Sequence, residues 1–511
     1  MNMRSYSSIL VTTLLALAIP ISGTAAQKHH HYKLIDMGTL GGDASYVNFG
    51  AKVLNDHGAV VGSSETSTSL PPNTNPYPCP GPNSFKAFVW QKNKFAELAT
   101  LVTGNCSNAI WVNKGGKIAG DSENGLIDPL TGITEVRAVV WENNKIRDLG
   151  TFGGNHSASQ AINTKGEVTG FALNETPDLY SLFDLPFLGS SAGTQTRAFL
   201  WSGHKMHDLD TLGGPDAFGF FVNDSSQVAG ISYTDSIPNQ VTGLPTLHPF
   251  LWQNGKMKDL GTLGGLGSIL SNSPAPLIVN GLNNRGEVIG FSPLAGDQAS
   301  DPFLWNGERL IDMSVEGTGG TFLSPNVLND EGLVAGAGAF PNRVLDAALW
   351  ENGRVIDLGA VGTDCFSEAW AISSNGQVGG VSVSCDFNNW RAFLWQQGSM
   401  VDLNTLIPPG SPLQLVYAIG INDRGEIAGN GVPAGVSTAP PTQDTMSHAF
   451  LLIPCDENHP GIEGCDYSPM EVSAVAASYS APQRQLTPQE ISRIHALLTN
   501  RHRGFMRRTM H

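Results

Sequence analysis

The sequence has few charged residues, little positive charge and no apolar run long enough to cross a membrane. Charged side chains make up 14% of the 511 residues, against about 25% in typical soluble domains. Lys and Arg total 29 against 45 Asp and Glu, and the net charge is −16. A nucleic-acid site needs a cationic surface, so this balance argues against nucleic acid as a partner. The 59 glycines favour short strands and turns.

A short apolar segment near the N terminus predicts export. Arg4 provides positive charge, residues 9–21 are apolar, and residues 23–26 are small and suited to cleavage. The apolar segment is shorter than the roughly 20 residues that cross a bilayer as a helix. We therefore predict a signal peptide over residues 1–26 and a soluble mature protein, secreted or periplasmic, without a transmembrane segment.

Cysteine is also scarce, and none of the six cysteines has the close spacing of a zinc or redox motif. An exported protein enters an oxidising compartment, where disulfides form and persist. Six cysteines allow 15 pairings. The choice among these pairings depends on the order of the repeats described next.

A unit of roughly 50 residues recurs eight times and carries three signals in a constant order. The first is an apolar residue, Asn, two variable residues and Gly, as at 54–58 and 282–286. The second is a strand that ends in an aromatic residue, as at 87–90. The third is a strand that ends in a carboxylate and an apolar residue, as at 256–260. Asn and Gly tolerate positive φ, so the first signal predicts a hairpin turn.

Each unit therefore predicts four short strands, which we name a, b, c and d in chain order. The segment 33–37 is a d strand that precedes every other strand, and the last unit, which ends near Leu452, lacks one. A d strand from the N terminus would complete the last blade and close a ring, whereas an open solenoid would carry polar capping repeats. We predict an all-β fold: an eight-bladed β-propeller over residues 32–455, with four-stranded blades.

The repeats resemble the bacterial extracellular HAF repeats. The resemblance rests on the triplet His448-Ala449-Phe450, its variant at 248–250 and the recurring Asp-Leu-Gly-Thr-Leu-Gly-Gly, as at 259–265. It covers about residues 32–455; the triplet departs at 347–349, and Ser373 replaces the turn Asn of one unit. The resemblance implies an exported, propeller-type repeat protein, and it implies no known reaction and no catalytic residues.

The order of strands predicts two different faces. The short a–b and c–d turns fall on one face, which we name the regular face. The b–c and d–a connections fall on the opposite face, which we name the insertion face because it carries every long insertion. Variable loops on a rigid scaffold are common binding sites, although long loops are also tolerated without a function.

This assignment predicts three disulfides on or beside the insertion face: Cys79–Cys106, Cys365–Cys385 and Cys455–Cys465. Six candidate binding residues lie in its connections: Asn155, His156, Asp216, Asp364, Phe387 and Trp390. Phe387 and Trp390 are the strongest contact candidates because the repeat does not require them. We predict no catalytic residue, no metal ligand and no cofactor. One carboxylate recurs at the end of every d strand, but the ring separates the eight copies, so a hydrogen bond to the d–a backbone is the favoured role.

The C-terminal residues differ from the repeats. Residues 456–485 are predicted as a disulfide loop and linker, and 486–503 as an amphipathic basic helix with Thr487 as its N-cap. Residues 504–511 are predicted to be disordered. The helix is expected to dock on the propeller or on a partner.

The function that these features favour is an exported, non-catalytic binding or scaffold propeller that displays its loops to an extracellular polysaccharide or protein. Two alternatives remain at this stage. One is a hydrolase or lyase that acts at the channel mouth, and the other is a structural component of a cell-surface or extracellular assembly.

Overall fold

The computed structural model contains 34 strands in the part of the chain that it describes. The predicted signal peptide, basic helix and disordered tail lie outside that part, together with most of the predicted linker. The described residues are 28–72, 74–184, 188, 191–269, 273, 275–315, 318–341, 343–440, 442–468 and 470–471.

The strands form one small outer pair and eight blades. The first two strands in the chain are β1 (Lys28–His29) and β2 (Tyr32–Asp36). Blade 1 contains β3 (Gly41–Tyr46), β4 (Val60–Ser69), β5 (Asn83–Gln91) and β6 (Lys94–Glu97). Blade 2 contains β7 (Ser107–Val112), β8 (Ile118–Ile127), β9 (Thr134–Glu142) and β10 (Lys145–Asp148). Blade 3 contains β11 (Gly153–Ile162), β12 (Val168–Pro177), β13 (Thr194–Ser202) and β14 (Lys205–Asp208). Blade 4 contains β15 (Ala217–Val222), β16 (Val228–Tyr233), β17 (Leu247–Gln253) and β18 (Lys256–Asp259).

The second half of the ring follows the same plan. Blade 5 contains β19 (Ile278–Leu282), β20 (Val288–Pro293), β21 (Ser300–Trp305) and β22 (Leu310–Asp312). Blade 6 contains β23 (Thr321–Leu328), β24 (Val334–Phe340), β25 (Arg343–Glu351) and β26 (Arg354–Gly359). Blade 7 contains β27 (Phe366–Ile372), β28 (Val378–Val383), β29 (Trp390–Gln396) and β30 (Ser399–Asp402), with a 3-10 turn at Leu403–Thr405. Blade 8 contains β31 (Leu413–Ile421), β32 (Ile427–Pro433) and β33 (His448–Pro454), with a helical turn at Thr442–Thr445.

The ring closes as predicted. Strand β2 pairs antiparallel with β33, with Leu34 opposite Leu452, and so supplies the outer strand of blade 8. The fold is therefore an eight-bladed β-propeller with four-stranded antiparallel blades. Beyond the ring, β1 pairs with β34 (Met470–Glu471), inside the segment that was predicted to be a linker. No helix in the described ranges has the length and apolarity needed to span a bilayer.

Close packing between strands explains the Gly in strand b. A Cβ atom on Gly230 would lie 2.0 Å from the carbonyl oxygen of Phe218 in strand a and 2.7 Å from the Phe250 ring in strand c. Real Cβ contacts are longer than this, so any larger residue would push the strands apart. The equivalent glycines are crowded by a strand a carbonyl in the same way: Gly62, Gly120, Gly170, Gly290, Gly336, Gly380 and Gly429.

The repeated carboxylate and the His of the triplet meet within one blade. Asp259 accepts a hydrogen bond from the N–H of Gly261 at 2.8 Å, and its carboxylate lies 2.9 Å from Nδ1 of His248. Seven of the eight d-strand carboxylates accept the same bond from the backbone two residues on, Glu97 being the exception. The prediction of a structural role at the d–a crossing is confirmed for these seven.

The turns of the regular face use two kinds of chemistry. Six of the seven c–d turns have two central residues with positive φ, as at Asn143–Asn144 and Asn254–Gly255, which is the geometry of a tight hairpin; in blade 5 only Gly307 has positive φ. In the a–b turns, by contrast, the residue with positive φ is the Gly (Ser226 in blade 4) and not the Asn. The prediction that the Asn supplies backbone freedom is therefore wrong; its side chain has a different role, described below.

In blades 1, 2 and 3, part of the insertion between strands b and c forms β-strand. Strand b has 10 residues and strand c has 9 in blades 1, 2 and 3, where about five were expected from the repeat. The extra residues extend the b–c hairpins beyond the ring on the insertion face. The three predicted disulfides are all present, at Cys79–Cys106, Cys365–Cys385 and Cys455–Cys465.

Candidate functional site

A ring of side-chain hydrogen bonds closes the regular face around the axis. Nδ2 of the turn Asn in one blade donates to the backbone carbonyl of the equivalent residue in the next blade, for example from Asn223 to Asn283 at 2.9 Å. Seven such bonds have lengths of 2.8–3.1 Å. Each Asn Oδ1 also accepts N–H groups of its own turn, as Asn223 does from Gln227 at 2.9 Å. Ser373 has no amide to donate, so the step from blade 7 to blade 8 lacks this bond.

A cavity of about 310 Å³ lies inside this ring, where the channel opens on the regular face. Trp111, Phe221 and Trp370 form part of its walls, and Asp224 and Asp330 lie at its rim. The rim carboxylates are already used: Asp224 accepts the N–H of Thr164 at 2.9 Å, and Asp330 that of Asn284 at 2.8 Å. Its described lining contains no His, Cys, Glu or Tyr. The lining also contains two lysines and a further acidic contact, in which Asp423 accepts the N–H of Ser374 at 3.1 Å.

On the insertion face, loops fold inward and contribute to the core. Tyr77 from the blade 1 loop and Phe183 from the blade 3 loop are both fully buried. The hydroxyl of Tyr77 donates a short hydrogen bond to Asp121 of blade 2, whose other oxygen accepts the N–H of Ser159 of blade 3 at 2.7 Å. Burial raises the pKa of Asp121 to about 8. These loops therefore join neighbouring blades as well as covering the channel.

Asn155 and His156, two predicted binding residues, are occupied by contacts within the protein. Asn155 donates to Asp128 of the blade 2 loop at 2.6 Å, and Nε2 of His156 lies 3.1 Å from the same carboxylate. Nδ1 of His156 accepts the N–H of Val136 at 3.2 Å, and burial lowers the pKa of the ring. Both ring nitrogens are thus used. We assign this pair to the packing between blades 2 and 3.

Asp364 and Asp216 are buried carboxylates at equivalent places in the d–a connections of blades 7 and 4, but their surroundings differ. Asp364 accepts the hydroxyl of Ser382 at 2.7 Å and pairs with Arg391 at 3.2 Å. Asp216 is fully buried, and only its Oδ1 has a partner, the N–H of Thr196 at 2.7 Å. Asp364 therefore has a structural role, whereas Oδ2 of Asp216 has no hydrogen-bond partner in the described residues.

Phe387 and Trp390 turn inward. Nε1 of Trp390 donates to the carbonyl of Phe387 at 2.9 Å, and the Phe387 ring stacks on Phe366 with 4.9 Å between centroids. Trp390 is buried. The blade 7 loop folds back on its own blade, so these rings have a packing role that the repeat did not reveal.

The surface of the insertion face carries a different set of side chains, which the sequence analysis missed. Ten large apolar side chains are exposed in the described residues, and nine of them lie in b–c hairpins or d–a connections. Leu179 is 93% exposed and Val102 is 85% exposed. Seven of the nine lie in or beside blades 2–4, and we name these seven the apolar patch: Val102, Leu126, Ile127, Leu130, Leu179, Ile237 and Val241.

Hydrogen bonds hold the loops that carry the apolar patch. The Thr103 hydroxyl, next to Val102, donates to the carbonyl of Asn124 at 3.1 Å, which holds the connection into blade 2 against the blade 2 hairpin. The N–H of Ile237 donates to Asp235 at 2.8 Å. Exposed aliphatic residues grouped on one face are typical of protein interaction sites. A signal in the sequence exists, since these residues interrupt polar loops, but it does not distinguish exposed from buried residues.

Comparisons with known proteins find similarity only to solved structures, at low identity. A scan of protein-family models and a search of curated proteins each found no match. Among solved structures, the chain is similar to the β-propeller domain of the trilobed protease from Pyrococcus furiosus, at 10% identity and a TM-score of 0.41, covering 70% of this chain and 97% of that one. It is also similar to the Pyrococcus horikoshii acylaminoacyl peptidase, at 12% identity and a TM-score of 0.40, covering 76% of this chain. The match spans 58% of that peptidase's length. A PL25 ulvan lyase matches at 10% identity and a TM-score of 0.36, over 74% of this chain and 100% of that one.

Proposed function

We propose that this chain is an exported, non-catalytic binding propeller of the HAF-repeat family, and that its insertion face binds an extracellular protein through the apolar patch. The observation that carries the proposal is the placement of nine of the ten exposed large apolar side chains on one face. Interfaces between proteins bury such groups at their centre. The role of His248 and Asp259 within their blade supports the assignment of the HAF triplet as a structural motif.

The patch favours a protein over a polysaccharide. Its seven members are all aliphatic, and the one exposed large aromatic among the described residues, Tyr467, lies after the last blade. Polysaccharide sites need polar groups and flat aromatic rings, which stack on sugars, whereas aliphatic side chains gain most from burial against other apolar groups.

The test uses the mature chain from residue 27 to 511, recovered from the medium of the source organism, where we expect to find it. Extracellular proteins cross-linked to it would be identified, and the affinity of each would be measured in solution. A patch variant with Leu126→Ser, Leu130→Ser, Leu179→Ser and Ile237→Ser should bind the partner about tenfold or more weakly. A control variant with Val315→Ser, Met446→Ser and Tyr467→Ser removes exposed apolar groups elsewhere and should bind like the wild type.

Equal affinity for the patch variant and the wild type would overturn the proposal. So would binding to a glycan array with no protein partner. A patch-dependent dimer in sedimentation experiments would also overturn it, because the partner would then be a second copy of this chain.

A further inference from the structure

Several buried oxygens between blades 3 and 4 have no hydrogen-bond partner among the described residues. Oδ2 of Asp216 is one, and Oγ1 of Thr196, the residue whose N–H binds Oδ1 of Asp216, is another. The hydroxyl of Tyr233 is the third. Asp216 and Thr196 are fully buried and Tyr233 is 1% exposed. Buried polar groups are nearly always paired, so three such oxygens at one interface indicate a missing partner.

A second carboxylate meets Asp216 at this place. Asp178 begins the blade 3 loop, its Oδ1 accepts the N–H of Tyr180 at 3.1 Å, and its Oδ2 is buried without a partner in the described residues. Burial raises the pKa of Asp216, and contact with the carboxyl of Asp178 raises it further. The two side chains are therefore neighbours, and each keeps one buried oxygen without a hydrogen-bond partner in the described residues.

The described residues provide no positive charge for this pair. Elsewhere on the insertion face, Asp346 pairs with Arg343 at 2.7 Å and Asp364 pairs with Arg391 at 3.2 Å. Near Asp216, Arg197 is directed instead to Asp208 at 3.0 Å. Two adjacent buried carboxylates without a cation repel each other strongly in a medium of low polarity. Either a shared proton or a bound cation has to relieve this repulsion.

We propose that a divalent cation of the calcium class binds between Asp178 and Asp216. Oδ2 of each carboxylate and the Thr196 hydroxyl are its ligands, and the Tyr233 hydroxyl hydrogen-bonds to the coordination shell. All these groups are oxygens, which hard cations prefer, and Ca²⁺ accepts irregular sets completed by water. Four separate partnerless oxygens are accounted for by one ion, whereas a single shared proton accounts for only two.

The proposal goes beyond the proposed function and does not depend on it. The ion would tie the start of the blade 3 loop to the d–a connection of blade 4. Leu179 of the apolar patch follows Asp178 directly, so the ion would also anchor part of that surface. A partner is not needed for the test, which measures the chain alone.

The experiment uses the mature chain after treatment with a chelator. Calorimetric titration with CaCl₂ should give one site with Kd of about 10⁻⁴–10⁻³ M or tighter, and CaCl₂ should raise the melting temperature. Asp216→Asn should abolish both effects. Asp297→Asn is the matched control, because Asp297 is a buried carboxylate in the b–c connection of blade 5 whose Oδ1 accepts the N–H of Leu266 at 2.8 Å. The control should bind Ca²⁺ like the wild type.

If Asp216→Asn does not fold, Asp178→Asn tests the same pair from the loop side. Absence of calcium binding by the wild type, with stability that falls more steeply as pH rises in the wild type than in Asp178→Asn, would identify a shared proton and overturn the proposal. Equal calcium binding by the wild type, Asp178→Asn and Asp216→Asn would also overturn it.

Discussion

The regular face and the insertion face of the ring are held together by different interactions. On the regular face, one residue type makes the same bond in seven of eight steps, from the turn Asn to the next blade, and Ser373 marks the exception. On the insertion face, a Ser hydroxyl of strand a accepts a strand c N–H of the preceding blade at four junctions. Other interactions occur at one place each: a disulfide at Cys79–Cys106, a buried loop tyrosine at Tyr77, and Arg–Asp pairs within blades 6 and 7.

The features that recur in every blade have structural roles, and the candidate binding residues are sought among the residues that do not recur. Each invariant feature of the repeat has a packing or hydrogen-bond role, as Gly230, Asn223 and Asp259 illustrate. Most residues that depart from the repeat lie on the insertion face, where some, such as Tyr77, are buried between blades and others, such as Leu179, remain exposed. Three changes test this division, from the largest expected effect to the smallest.

Asp121→Asn should remove a pH dependence that originates under the insertion face. Burial raises the pKa of Asp121 to about 8, well above the value of about 3.9 in an unfolded chain. The folded wild type therefore keeps a proton that the unfolded chain loses, and its free energy of unfolding should fall between about pH 4 and pH 8. The slope for one proton is about 1.4 kcal/mol per pH unit. Urea unfolding at pH 5 and pH 8 measures it.

The Asn side chain preserves both contacts, because its oxygen can accept from Ser159 and its amide can donate to Tyr77. The matched control is Asp224→Asn on the regular face, which should keep the wild-type slope. An unchanged slope in Asp121→Asn would contradict the assignment.

Replacing both cysteines of the first disulfide, Cys79→Ser with Cys106→Ser, should lower the free energy of unfolding by about 2–4 kcal/mol. This bridge closes 27 residues, whereas Cys455–Cys465 closes 10. Since the loss of chain entropy grows with loop length, the equivalent Cys455→Ser, Cys465→Ser variant should lose about 1 kcal/mol less. Urea unfolding of both variants checks this order. The opposite order would show that native contacts, and not loop closure, dominate.

Ser373→Asn should complete the ring of the regular face. The new amide would donate to the backbone carbonyl of Asn422, which is placed like that of Asn283, and should add about 0.5–1.5 kcal/mol to the free energy of unfolding. Ser373→Asp is the control, because a carboxylate can accept the turn N–H groups but has no N–H to donate. Equal stability of the two variants in urea unfolding would rule out the interblade bond as the cause.

The sequence alone predicts the features that follow from the order of the strands and connections along the chain. The position of the d strand at 33–37 predicts the closure with β33, and the alternation of connections predicts all three disulfides. Contacts across blades were not predictable in this way. The spacing of Asn163 and Gly166 identifies a turn. It does not show that the Asn163 amide reaches the backbone carbonyl of Asn223.

The candidate site was predicted less well than the fold, for a physical reason. Whether a loop residue is a contact or a packing residue depends on the direction in which the loop folds. Trp390 and Phe387 fold back, so that Trp390 is buried and Phe387 is partly buried, whereas Leu179 remains exposed. Asp216 was selected from its place in the d–a connection, but its need for a partner is visible only when Asp178 is beside it.

The pairing of β2 with β33 has a consequence for how the molecule is made. Residues 32–36 are synthesised first among the blades' strands, and they find their partner only after more than 400 further residues have been added. Until then the eighth sheet has an open edge, and open edges are sites of aggregation. A chain that ends before β33 (His448–Pro454) cannot close the ring. The chain is therefore most prone to aggregation between the synthesis of β2 and the synthesis of β33.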